Sequence, residues 1–580
     1  MYNLQRILLP VYFLLNSVSV IADIELEVEI KGVNTTLTEN IRQFLSIEQQ
    51  KNQQLFSTSR MHHLHKKATA EILNALKPFG YYRPKIKTQL LENSPNDWRA
   101  IYSIEPGRQL QIGVLDFNVS GEMKYDTALK KHKQQMAILQ PGAAFDHRQY
   151  QDLKALLIRL ATERGYFKGR FVESRVEINL DRYKADIYLH YDSGPRYNFG
   201  FVTLNQNVLK PAFLKRYIPF ERGSPYTLGG LLDLQQALND SDYFRIVEVS
   251  PGEPTAENRE VPITVTLAPR KRHLYSFGIG YGTDTGVRTQ LGWEMPRLNT
   301  RGHRFSTKLK YSEIGLSFTS HYRIPILNPR VDQIVYSAGI INQTTQSSDS
   351  TVRTIGASLQ HSRGFWRESA MLNYQREEYI VADTQGESTM LLPSISWSRI
   401  WGRQQVYTRD GLGVKTGLRG AAKKLLSSSD FGQIQGDVKL IESIAGHNRI
   451  ILRSMLGGTL TRQFSTLPSS MRFFAGGSQS IRGFPYQSLG PVNEQGKVIG
   501  GKHLIIGSIE FEHNFGPKWG TALFYDSGNA FNEATYKLEQ GTGIGLRWQS
   551  PIGPVRTDIA VALSRQKRPW RLHINIGPDF

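Results

Sequence analysis

From residue 274 the chain alternates large apolar with small residues. Tyr275, Phe277, Ile279 and Tyr281 fall on one face, and Ser276, Gly278, Gly280 and Gly282 on the other. A period of two predicts a strand with two unlike faces. Segments of this type recur to the final stretch Leu572–Phe580. At about 19 residues per strand and connection they predict sixteen strands, with 14 or 18 nearly as compatible. The first half has another texture. Leu153, Leu156, Leu157 and Leu160 recur at helical spacing, and Ala185–Leu189 then alternates as a strand.

That helix-then-strand pattern occurs three times. Gly80-Tyr81-Tyr82, Gly165-Tyr166-Phe167 and Asp242-Tyr243-Phe244 mark equivalent points, the tyrosines 85 and 77 residues apart. Each unit reads strand, helix, helix, strand, strand, with two amphipathic helices on one face of a small mixed sheet. Gly80 and Gly165 are expected to end the second helix in the left-handed conformation. The polar run Glu48–Ser59 leaves the helix boundaries of the first unit open. An unpaired edge strand in such units is suited to accept an extended peptide.

The alternating half suits a membrane barrel, because backbone groups in lipid must be paired internally and a sheet does that by closing. Apolar side chains would face lipid, and small and polar ones the lumen. Beyond residue 22 no apolar run approaches the ~20 residues of a spanning helix. Before it, Arg6, the apolar Ile7–Leu15 and the small residues up to Ala22 read as a signal peptide, 1–22. The expected domains are then 23–107, 108–194 and 195–269 for the repeats and 270–580 for the barrel. First and last strands should pair poorly where the barrel closes. Gly278 and Gly280 weaken the first strand. Gly577 and Pro578 weaken the last, and Pro578 has no N–H to donate. The seam residues are therefore Tyr275, Phe277, Gly278, Gly280, Ile574, Ile576, Gly577, Pro578 and Phe580.

Charge and composition narrow the function. The net charge is +20, but the basic residues are spread along the chain without a nucleic-acid motif, which favours anionic lipid headgroups over nucleic acid. With no cysteine, thiolate metal sites, iron–sulfur clusters and cysteine nucleophiles are excluded. His62, His63 and His65 lie beside Lys66 and Lys67, which disfavour a metal, and read as a solvated helix face. Gly490 to Val498 departs from a phosphate loop in spacing and in lacking the metal-binding Ser/Thr. Asp126 and Asp146 show no visible partner. No catalytic constellation emerges, so no enzyme activity and no cofactor are expected.

One loop carries a site. Residues 472–491 centre on Arg482-Gly483-Phe484. Alternation along Ile505–Glu512 turns Ser508, Glu510 and Glu512 to the lumen, and Asp526 shares a face with Ala522 and Phe524. A carboxylate inside a barrel needs a cation, and Arg suits bidentate pairing. Arg482 reaching Glu510 and Asp526 would hold the loop inside.

Arg482-Gly483-Phe484, Phe524–Ala530 and Gly541–Trp548 continuing to Asp558, with the Gly-Tyr-Tyr and Gly-Tyr-Phe repeats, resemble the outer-membrane assembly-factor superfamily. Its members join periplasmic POTRA domains to a 16-stranded barrel. The resemblance covers essentially the whole chain after residue 22 and implies α+β POTRA repeats followed by an all-β transmembrane barrel. It implies the Arg482 pairing and a location in the outer membrane of a Gram-negative bacterium. Three repeats, Leu76–Tyr82 and Phe473–Gly477 are most similar to the TamA branch. This similarity implies a TamB-like, inner-membrane-anchored partner and unfolded outer-membrane or autotransporter chains as clients. Alternatives are a two-partner-type pore exporting one substrate, and lipid transport between membranes with the partner.

Overall fold

The computed structural model describes residues 25–580 except 53–56, 96, 133–136, 138, 403–406, 534–536, 551–552 and 577–580. The expected signal peptide and the seam residues Gly577, Pro578 and Phe580 lie outside the described residues. The chain forms two compact units. One runs to Phe201 and adds 221–230 and 251–262; the other comprises 202–220, 231–250 and 263–580. Elements of the third repeat are thus divided between the two.

The described first half holds three three-stranded sheets. In each, the third strand in sequence lies between the first and second. In the first two sheets the first strand is parallel to the third and the second antiparallel to it. Helix Thr58–Leu76 buries Met61, Ala68 and Ile72 against Tyr102 and Ala100 of the first sheet. Helix His147–Glu163 does the same in the second repeat with Leu153, Leu157 and Leu160. Side-chain caps start these helices: Ser57 accepts from Arg60 N–H, and Asp146 accepts from Arg148 N–H at 2.9 Å.

The helix ends follow one recipe. Gly80 and Gly165 take positive φ, both at 85°. Tyr166 N–H returns to Ala161 O at 2.8 Å, closing the last turn. In the third repeat Asp242 takes this role at φ 58°, a conformation Asp tolerates better than most side chains. The same point carries the link onward. Gly80 O accepts Leu110 N–H, Gly165 O accepts Tyr197 N–H and Tyr243 O accepts Arg270 N–H, each at 2.9 Å.

Three sequence expectations need correction. Asp126 is paired: Arg164 reaches it at 3.0 Å, Tyr166 donates to it at 3.1 Å and Ala128 N–H caps it at 2.9 Å. Asp146 is paired as well, accepting two N–H groups of the Arg148 guanidinium. Arg164 and Tyr166 lie close to Asp126 in space but about 40 residues away in sequence, which no local pattern reveals. His65 is half-buried, stacked on Tyr102 and 3.1 Å from its hydroxyl, not solvated.

In the second unit sixteen described antiparallel strands, Leu274–Gly282 to Trp570–Ile576, close a barrel. Its wall alternates as the pattern predicts. Tyr275 and Phe277 are 79% and 69% exposed on the outside, whereas Glu510, Glu512, Phe524 and Asp526 are buried on the inside. No described helix is long and apolar enough to cross a membrane; the crossing elements are strands. The same unit contains the segment that grips the first turns of the barrel. Lys210 N–H donates to Thr300 O at 2.9 Å, Tyr243 Oη to Gly302 O at 2.5 Å, and the Arg216 guanidinium to Leu327 O at 2.7 Å. Gly302 has positive φ, and a Cβ there would stand 2.3 Å from Phe213.

Candidate functional site

The connection between strands Asn448–Leu460 and His503–Asn514 folds into the lumen. It is built as a narrow ribbon. Phe473 exchanges backbone hydrogen bonds with Gly501 at 2.9 and 2.7 Å, and Ala475 does so with Leu489 at 2.9 Å. Phe473, Ile481, Phe484 and Leu489 bury their side chains against Leu504, Ile506 and Ala562 of the wall. The bend that delivers Arg482 depends on glycine. Gly483 has φ +94°, and a Cβ there would meet the backbone of Val561 and Ala562 at about 3 Å; a Cβ on Gly541 would stand 2.0 Å from Arg482 O.

Arg482 is 2% exposed. Its Nε and Nη2 donate to both oxygens of Asp526, at 2.7 and 2.9 Å, and its backbone N–H adds a third bond at 3.0 Å. Nη1 donates to Glu510 at 2.6 Å and to Asp558 at 3.1 Å. The guanidinium lies 3.4 Å over the Phe524 ring. The structure thus brings Arg482 onto Glu510 and Asp526 together.

It also adds groups that sequence reasoning missed. Arg547 donates to Glu510, Glu512 and Asp558 at 2.6, 2.8 and 2.6 Å. Arg449 pairs with Glu512. Arg453 lies 3.8 Å from Asp526 and donates to Ser508, which donates to Asp526 at 2.6 Å. Four guanidiniums and four carboxylates therefore interlock across five strands and the loop, and each buried charge has a counter-charge, which offsets its desolvation. The signal was present in the alternation that turns Arg547 and Asp558 inward, but their neighbours depend on barrel curvature.

The loop touches both sides of the seam. Ser478 N–H donates to Asp284 Oδ2 at 2.6 Å, just after the first strand. Gly483 N–H donates to Nε2 of His573, on the last strand, at 3.0 Å. His573 Nδ1 and Asp284 Oδ1 face each other at 3.8 Å, each buried without a hydrogen-bond partner.

Among the described residues the seam is short. The first strand pairs with the second along its length, from Leu274–Glu294 to Gly282–Gly286. With the last strand it pairs at Gly282–Asn575 alone among the described residues. Thr283 adds two bonds to Ile574, a backbone N–H to its carbonyl at 3.2 Å and a hydroxyl accepting its N–H at 2.6 Å. Tyr275, Phe277, Gly278 and Gly280 lie on the first strand before that point. Gly278 and Gly280 line an open cleft with Ile576, Arg288 and Lys310.

A family model described as the Omp85 superfamily domain matches residues 273–580. The chain belongs to the Omp85 superfamily. A second model, described as POTRA domain, TamA domain 1, matches residues 27–106. Among curated proteins, this Omp85 chain is 25% identical over 374 residues to an outer membrane protein assembly factor BamA of Nitratidesulfovibrio vulgaris, covering 60% of this chain and 46% of the relative. It is 21% identical over 510 residues to a BamA of Neorickettsia risticii, covering 80% and 65%. The chain thus spans about half to two thirds of these relatives. A crystal structure of BamA from Haemophilus ducreyi lacking POTRA domains 1–3 superposes with TM-score 0.67 at 16% identity, covering 81% of this chain and 99% of that one, and supports the fold. This Omp85 barrel is an outer-membrane barrel, and its POTRA region is periplasmic.

Proposed function

We propose that this Omp85 chain is an assembly factor of the TamA type. It receives unfolded outer-membrane or autotransporter chains at its POTRA units and passes them into lipid through the seam, working with a TamB-like, inner-membrane-anchored partner. The observation that carries the reading is the seam. Among the described residues one paired position joins strands whose other edges are zipped along their length, and the backbone edge of Leu274–Tyr281, once the seam opens, is a template for an incoming strand. The TamA-type match over residues 27–106 and the three repeats support the choice within the superfamily. The relatives named as assembly factors support the client class.

The loop acts as the pin of this gate. Arg482, Gly483 and Phe484 anchor it to the wall, and Ser478 and Gly483 hold Asp284 and His573 on opposite sides of the closure. The export-pore reading is less well supported, because the loop and its ion pairs occupy the lumen. A disulfide between cysteines introduced at Gly282 and Asn575 tests the proposal, in a chain that has no native thiol. Oxidation is expected to stop client assembly, and reductant to restore it. Unimpaired assembly with the seam quantitatively cross-linked overturns lateral exit.

A further inference from the structure

The outer wall of the barrel carries arginines toward both ends, and they are compensated differently. Toward the end remote from the POTRA region, Arg376 lies 2.6 Å from Glu387 and Arg353 lies 2.6 Å from Glu378, each pair reaching across neighbouring strands. Arg399 is placed toward the opposite, periplasmic end, three residues before the close of strand Thr384–Gly402. It shares the outward face with the exposed Ile395. Among the described residues it has no carboxylate within ion-pair distance, and its Nε–H is buried without a partner.

Aromatic rings surround it instead. Its guanidinium lies 3.9 Å over Trp401, 5.2 Å from Phe365 and 5.8 Å from Trp366. Trp366 and Trp401 meet edge to face at 5.8 Å. Glu368, on the neighbouring strand opposite Trp397, is engaged at 3.9 Å by the exposed Arg363. Ring faces stabilise a cation, but they leave its in-plane N–H donors unsatisfied, which is costly next to hydrocarbon. Three residues of strand amount to at most about 10 Å from the strand end, and the Trp366–Trp401 pair beside Arg399 is of the kind that girdles such barrels at the level of lipid headgroups. The acceptor that matches a guanidinium fork at that depth is a phosphate. Among the described residues Glu368 already answers Arg363, so Arg399 adds an uncompensated positive charge, which disfavours an ammonium-bearing headgroup.

We propose that Arg399, framed by Trp401, Trp366 and Phe365, binds the phosphate of an anionic phospholipid in the periplasmic leaflet. The site is independent of the seam and of the Arg482 network. It would fix the barrel's height and rotation in the leaflet.

Native mass spectrometry of the full chain in detergent, with phosphatidylglycerol or phosphatidylcholine added, tests this. The protein is expected to retain phosphatidylglycerol in preference, and R399Q to lower that preference about fivefold, the scale of one charge-assisted contact. R399K keeps the charge without the fork and should retain part of the preference, and R376Q, whose cation has its own carboxylate, all of it. Equal retention of both lipids by the wild type overturns the proposal, as does an R399Q protein with unchanged preference or an R376Q protein that loses it equally. Displacement of the lipid by millimolar inorganic phosphate would mark a free-phosphate site and also overturn it.

Discussion

Glu510 is the residue on which the lumenal charges converge, since Arg482 and Arg547 both donate to it. Substituting glutamine keeps its shape but leaves one guanidinium in excess in a buried setting. The loss should be ~3–5 kcal/mol, seen as a lower temperature for the gel-mobility shift of the folded barrel. Substituting Arg547 by glutamine as well restores the balance and should return part of that loss. Asp126 gives a second residue-scale expectation, outside the membrane. Burial alone raises its pKa, but the Ala128 N–H and the Arg164 guanidinium outweigh burial and hold the carboxyl below its ordinary value. Such a group adds stability above its unfolded pKa of about 3.9, and that stability is lost as pH falls through the lower folded value. D126N should therefore increase proteolysis within residues 108–194 of the full chain at neutral pH, and the difference from wild type should begin to shrink below about pH 4 and vanish only below the lower folded value. Inward-facing acids such as Glu510 and Asp526 were readable from alternation, because one strand suffices to decide a face. Asp126 was not, because Arg164 comes from just past the far end of helix His147–Glu163.

At the scale of elements, local rules explain most of the first half. Caps and a glycine before an aromatic mark the first two repeats, Asp242 takes the glycine's place in the third, and the three sheets share one strand order. What pattern alone did not expose is that the residue ending a helix, or its neighbour, also accepts the first link to the next segment, as Gly80, Gly165 and Tyr243 do. That is a property of two elements meeting. The seam is a similar case. Glycine in the first strand raised the expectation of weakness, but that Gly282 meets Asn575, the one pairing across the seam among the described residues, depends on the stagger of the closed barrel. The loop's role as a pin can be measured there. H573A leaves the Gly483 N–H buried without its acceptor, at a cost of about 1–3 kcal/mol. With cysteines at Gly282 and Asn575, H573A is expected to slow disulfide formation several-fold by letting the strand ends separate. An unchanged rate would mean that the loop does not restrain the seam.

For the whole molecule, the question is whether the lumen is a conduit or a filled support for the wall. Sixteen strands enclose a cylinder wide enough for an aqueous path in other barrels. Here the ribbon from Phe473 to Gly501 lies within it, held by Arg482 to three strands and by Arg472 to the carbonyls of Leu467 and Ile499 at 2.8 and 3.0 Å. The net charge of +20 gave no hint of this, since the lumenal charges are balanced and vanish from any sum over the chain. The physical consequence is an electrical one. If the loop is anchored as described, the wild-type protein in a planar bilayer should show low, stable conductance. Deleting residues 472–491 should produce a large open channel. R482A should give an intermediate record with frequent openings, because the ribbon keeps its backbone pairing but loses the charge that docks it. Large steady currents from the wild type, unaffected by either change, would instead identify the lumen as the transport path and transfer support from lateral release to export through the pore.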